Sequence, residues 1–201
     1  MFKKMLMIAS AALAVVALAA PASALADWTH GEAPLEGTAD VTFAGPASFS
    51  APAAEAGASA TLSATVTLEE GSTGKLSSVS ATNCVGTGKL AGLTCTSTFE
   101  ATKGTGWAPV SSTDPWIVHC NTGGSITITH IRITNHYYLD KAHTIKVKET
   151  VLTGDVTVTP HKPAAISTVT LSSENAEVAG AGPAIISGEL AATPSGTYGC
   201  E

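Results

Sequence analysis

The chain predicts an all-β fold, drawn as a two-layer antiparallel β-sandwich of about nine or ten short strands. Three observations carry this. Aliphatic residues alternate with Thr and Ser along much of the chain, most cleanly over residues 60–68, and such a period of two marks a strand with one buried face. Gly, Pro, Asn and Ser clusters punctuate the chain at intervals near the roughly 8–12 residues expected of sandwiches and barrels. Helical periodicity is missing after residue 26. A closed barrel is the alternative arrangement of the same strands.

The first 26 residues stand apart. Met1-Phe2-Lys3-Lys4 is a short cationic start, residues 5–20 are almost wholly apolar, and Ala24-Leu25-Ala26 is a small-x-small triplet before Asp27. That order predicts a signal helix cleaved between Ala26 and Asp27, and a mature chain outside the cytoplasm. Residues 27–40 hold acids, glycines and Pro34 without periodicity, so a loose N-terminal segment is expected, with Trp28 free to dock. Residues 41–201 are read as the sandwich domain.

Strands then follow in order. Val41 and Phe43 share one face, and residues 48–50 form a short second strand after Gly45-Pro46. Residues 51–58 carry Pro52 and Gly57 and read as a connection. The strand at 60–68 turns at Glu70-Gly71-Ser72-Thr73-Gly74 into a returning strand over 76–84. Residues 96–102 and 116–120 come next, on either side of a loop with Trp107, Pro109 and Pro115. Beyond Asn121-Thr122-Gly123-Gly124, Ile126 and Ile128 occupy even positions, whereas Ile131 and Ile133 occupy odd ones. A period of two cannot change face without an extra residue, so a β-bulge is expected at Thr129 or His130, or else a strand buried on both faces. Residues 144–151, 155–159, 166–171 and 184–190 supply the last strands.

Charge narrows the function. Without Lys3 and Lys4, eight basic residues face sixteen acidic ones. With one arginine, Arg132, and no basic stripe, the chain is no nucleic-acid binder. Without the leader the apolar fraction falls to roughly 38%, a lean core for a single domain. No later run approaches the ~20 apolar residues of a spanning helix, so no stable membrane insertion is expected after cleavage.

Cys84, Cys95, Cys120 and Cys200 form an even set in an exported chain, which predicts two disulfides. Cys84–Cys95 and Cys120–Cys200 is the favoured pairing. One bridge closes a Gly-rich loop and the other pins the C-terminal residues to the strand at Cys120. On loop entropy these contribute roughly 3 and roughly 4 kcal/mol. No C-x-x-C pair points to zinc or redox work.

Chemistry concentrates in Asn135-His136-Tyr137-Tyr138-Leu139-Asp140-Lys141-Ala142-His143, read as a loop between strands. His136, Asp140 and His143 are metal-ligand types, but their spacing matches no common ligand motif, and no cofactor is predicted. His136, Tyr137, Tyr138 and Asp140, with Trp107, form the candidate binding patch, since aromatic faces suit sugar rings or a protein partner. No G-x-S-x-G elbow is present. Gly86-Thr87-Gly88-Lys89 lacks the spacing and the strand–helix setting of a phosphate loop.

The Ala/Thr/Gly-rich β pattern, the Gly-rich segment from Cys84 to Cys95, the following Gly104-x-Gly106-Trp107 and the terminal Cys200 resemble exported proteins of unknown function from high-GC Gram-positive bacteria. The resemblance implies an extracellular or cell-envelope protein and carries over no catalytic residues. The expectation is therefore a secreted, non-enzymatic structural or binding module with a protein or glycan partner at the envelope. A carbohydrate-binding module or an exported hydrolase are the alternatives.

Overall fold

The computed structural model describes residues 25–201, and the signal helix read at 1–26 lies outside them except for Leu25 and Ala26. The described chain is all-β and antiparallel throughout. Fourteen strands are present: β1 (Trp28–His30), β2 (Ala33–Pro34), β3 (Thr38–Ala51), β4 (Ala56–Glu69), β5 (Thr73–Gly88), β6 (Thr94–Lys103), β7 (Gly106–Pro109), β8 (Trp116–Cys120), β9 (Ile126–Tyr138), β10 (Lys146–Pro160), β11 (Thr168–Val178), β12 (Gly182–Pro183), β13 (Ile185–Thr193) and β14 (Tyr198–Cys200).

That is more than the nine or ten expected, and several are far longer. β3 runs straight through Gly45-Pro46, which reads as a break in sequence. The ladder to β13 pauses there, between the pairs Gly188–Ala47 and Ala191–Ala44. Pro46 has no N–H to give it, while pairing to β4 continues unbroken. Gly45 permits the close passage of β13: a Cβ at this position would lie 2.2 Å from the Glu189 carbonyl oxygen.

The expected two facing layers are instead one continuous ring. Pairing runs from β3 through β4 to β5, then onto β9, β10, β11, β13 and back to β3. Between β5 and β9 one position is shared by two strands. β8 pairs with β9 at Ile126–Ile128, and β6 pairs with it from Arg132 to Tyr138. The result is a closed barrel of eight strand positions, a size whose interior is filled by side chains or holds one small ligand. Inward residues include Phe43, Leu62, Val66, Trp116, Ile133 and Leu190, all but fully buried. The Trp116 indole N–H donates to the Glu100 carbonyl at 2.8 Å, so this large core ring leaves no polar atom unpaired.

The phase change in β9 is resolved by the expected bulge. Ile128 pairs with Val156 and Ile131 with Gly154, so Thr129 and His130 together oppose Asp155. His130 takes φ 54°. Its N–H, displaced from the ladder, donates to the Asp155 carboxylate at 2.9 Å. All four isoleucines, Ile126, Ile128, Ile131 and Ile133, are buried as a result.

One end of the barrel is sealed. Residues 27–40 are not loose: β1 lies between β14 and β2 in a small second sheet. Trp28 is 1% exposed and Leu35 is 5% exposed. Trp28 N–H bonds to Gly71 at the β4–β5 turn, and Cys200 N–H bonds to Pro163 between β10 and β11. Asp27 and Glu201 exchange backbone hydrogen bonds at the same end, 2.8 and 3.0 Å long. The disulfide Cys120–Cys200 staples this cap to β8, and Cys84–Cys95 joins β5 to β6, with Cα separations of 5.5 and 4.9 Å. Both pairings are those expected from the cysteine spacing. Two such bridges fit an oxidising environment. No helix among the described residues is long and apolar enough to cross a membrane.

Candidate functional site

The barrel's other end is open. It is framed by the β3–β4 turn, the β5–β6 loop, the β9–β10 hairpin and the β11–β12 turn. Between them lies a cleft of about 480 Å³, within the size range of small-molecule sites. Phe49, Ala51 and Leu152 make its apolar wall, and Asn135, Tyr137 and Lys148 its polar one. Deeper in the barrel is a second space of about 80 Å³ lined only by apolar side chains, and Phe49 borders both.

The polarity of this mouth follows from strand register. After the bulge, the inward residues of β9 are the odd ones. Tyr137 pairs with Lys148, Asn135 with Thr150 and Ile133 with Leu152. Directly paired residues point to the same face. Going inward, the wall therefore steps from a cation and a phenol, to an amide and a hydroxyl, to two aliphatic chains.

Two of these polar groups, Tyr137 and Asn135, are held in place. Tyr137 is 1% exposed. Burial pushes its phenol above the ordinary pKa, opposed in part by a hydrogen bond with Thr150. The phenol therefore stays neutral at physiological pH. Asn135 is 2% exposed, and its Oδ1 accepts from the Ser97 hydroxyl at 2.6 Å. That bond uses the carbonyl side of the amide and leaves its N–H groups to donate. On the rim, Lys89 pairs with Glu55 at 2.8 Å, both well exposed. Lys148 has no ion-pair partner among the described residues.

The predicted patch is dispersed. Of His136, Tyr137, Tyr138, Asp140 and Trp107, the cleft takes Tyr137 alone. His136 points outward, its Nε2 2.9 Å from a Glu149 carboxylate oxygen. Lys146 also bonds that oxygen, and it chiefly, with His136 adding to it, holds the Glu149 carboxyl below its usual range. Tyr138 packs against His143 with the rings tilted by 44° and their centroids 4.8 Å apart. Asp140 caps the hairpin tip, accepting from the Ile145 and Thr144 N–H groups at 2.9 and 3.1 Å and from the Thr144 hydroxyl at 2.7 Å. These bonds, the one from Ile145 foremost, lower its pKa. His136, Asp140 and His143 are thus committed to three different local contacts, and no metal-holding group of His, Cys, Asp or Glu occurs among the described residues.

Trp107 lies on the outer surface of β7 beneath the Arg132 guanidinium, 5.8 Å from the ring centroid. Arg132 alternates with the buried Ile131 and Ile133, so it and Trp107 sit on the opposite sheet face from Tyr137. A flat aromatic strip joining the two is not formed.

Sequence reasoning missed Lys148, Thr150 and the amide of Asn135. It ended the strand near Ile133, although the odd phase of Ile131 and Ile133 continues through Asn135 to Tyr137. That continuation was the available signal. No protein-family model, no curated protein and no solved structure matches this chain.

Proposed function

We propose that this chain is a secreted, non-enzymatic binding protein of the cell exterior whose ligand enters the open end of the barrel. The observation that carries the reading is the asymmetry of the two ends. One is shut by a disulfide-stapled sheet, and the other opens onto a cleft of about 480 Å³ with ordered polar groups above an apolar wall. Its polar groups suit recognition: a phenol held neutral, an oriented amide and a lysine. A small apolar pocket with a few fixed donors is the usual form of a ligand site. Binding there calls for no cofactor.

The test uses Nile red, a neutral dye that brightens in apolar surroundings. The mature chain is expected to bind it at micromolar concentration with a blue-shifted emission. Ala179→Trp, at an exposed position on the cleft, is expected to fill the mouth and weaken binding at least tenfold. Glu32→Ala, exposed at the sealed end, is expected to leave it unchanged. Equal dye binding by the Ala179→Trp protein would overturn the reading.

A further inference from the structure

We infer that the mouth takes a single-chain anionic amphiphile, with a carboxylate or phosphate head at Lys148, Tyr137 and Asn135 and an alkyl tail along Phe49 and Leu152. This rests on the reading of the mouth as a ligand site.

The argument is one of donor balance. The inward groups nearest the rim are an ammonium, a neutral phenol and the N–H side of an amide whose oxygen is already occupied by Ser97. All three donate hydrogen bonds. A head group that only accepts is therefore complementary, and the ammonium selects for negative charge. Carboxylates near the mouth are already engaged. Glu149 also borders the cleft, but its carboxylate is paired with His136 and Lys146, and Glu55 is paired with Lys89. Acids outnumber bases overall, so an anion is repelled from most of the surface and a cation facing the cleft gains in significance.

The rest of the lining fits a tail. One rung inward, Thr150 faces Asn135, and beyond it Leu152 faces Ile133. Phe49 separates the cleft from the deeper space of about 80 Å³, where every lining side chain is apolar. Outside, the hairpin tip projects past the Tyr137–Lys148 rung and exposes Leu139, Ile145 and Val147. Exposed aliphatic groups beside an opening give a tail an apolar surface on its way in.

Titration calorimetry on the mature chain tests this with decanoate, 1-decanol, decyltrimethylammonium and lysophosphatidylglycerol. Decanoate is expected to bind at least tenfold more tightly than the alcohol or the ammonium. Lys148→Ala is expected to remove about tenfold of the decanoate affinity and to leave decanol unchanged, which is the scale of one charge-assisted hydrogen bond. Its melting temperature serves as the check on folding, and the head-group series on the wild-type chain stands without any variant. Preference for lysophosphatidylglycerol over decanoate would mark a lipid head group as the source, and the reverse a free acid. Equal affinity for decanoate and decanol, or an unaffected Lys148→Ala variant, would overturn the anionic head while leaving the mouth as a site. Failure of every amphiphile together with Nile red would overturn the mouth itself.

Discussion

Two side chains set the character of the open end by where they sit in a ladder. Asp155 accepts the N–H that the bulge at exposed His130 withdraws from pairing, a bond whose net worth at such a site is on the order of 1 kcal/mol. With that donor satisfied, β9 changes phase once and presents Tyr137 to the interior. Tyr137 should then titrate abnormally. Its folded pKa is raised, so the stability it contributes is present below the unfolded tyrosine pKa and is lost as pH rises through the folded one. Ultraviolet titration of the three tyrosines should show one ionising later than the others, and Tyr137→Phe should remove that late step. A single common transition would show that the phenol is not shielded as described. The bulge was legible in sequence because the isoleucines declare both phases. Tyr137's burial was not, because His136, Tyr138, Asp140 and His143 make the surrounding residues look like a polar loop.

The β9–β10 hairpin is the element that joins rim and tip. Its turn is held by one carboxylate: Asp140 gathers the Thr144 and Ile145 N–H groups and the Thr144 hydroxyl. Because the Asp140 pKa is lowered, its contribution is present above the unfolded carboxylate value and is lost as pH falls through the folded one. Acidification into that range should fray the tip before the barrel melts. Hydrogen exchange at the Thr144 and Ile145 amides should accelerate there, whereas exchange in β4 should not; protection that persists in the Asp140→Ala protein would contradict this role. Individual strands were readable from alternation, but their lengths were not. β3 reads as two pieces because Gly45-Pro46 is a breaker pair, yet its pairing to β4 carries it through.

At the scale of the molecule, closure was the illegible feature. Alternation of inward and outward residues is the same in a sandwich and a barrel, and the ladders that decide between them, β13 with β3 and β10 with β9, depend on three-dimensional curvature. The disulfides were legible because an even set of four cysteines leaves three pairings, and loop placement favours one. The two bridges should not be equivalent. Replacing Cys84 and Cys95 by Ser should lower stability by roughly 3 kcal/mol, and replacing Cys120 and Cys200 by roughly 4. The second change should also loosen the small sheet and red-shift Trp28 emission, while the first should leave that signal alone. Denaturant unfolding followed by tryptophan fluorescence separates the cases, and matching spectra for both variants would refute the assignment of Cys120–Cys200 as the clamp of the cap.

The mutual hydrogen bonds of Asp27 and Glu201 carry a practical corollary. Both extremities of the described chain emerge beside the stapled plug, at the pole farthest from the aperture. A protein fused, tagged or immobilised through either extremity would be oriented like a cup fixed by its base, with its rim unobstructed and facing the medium.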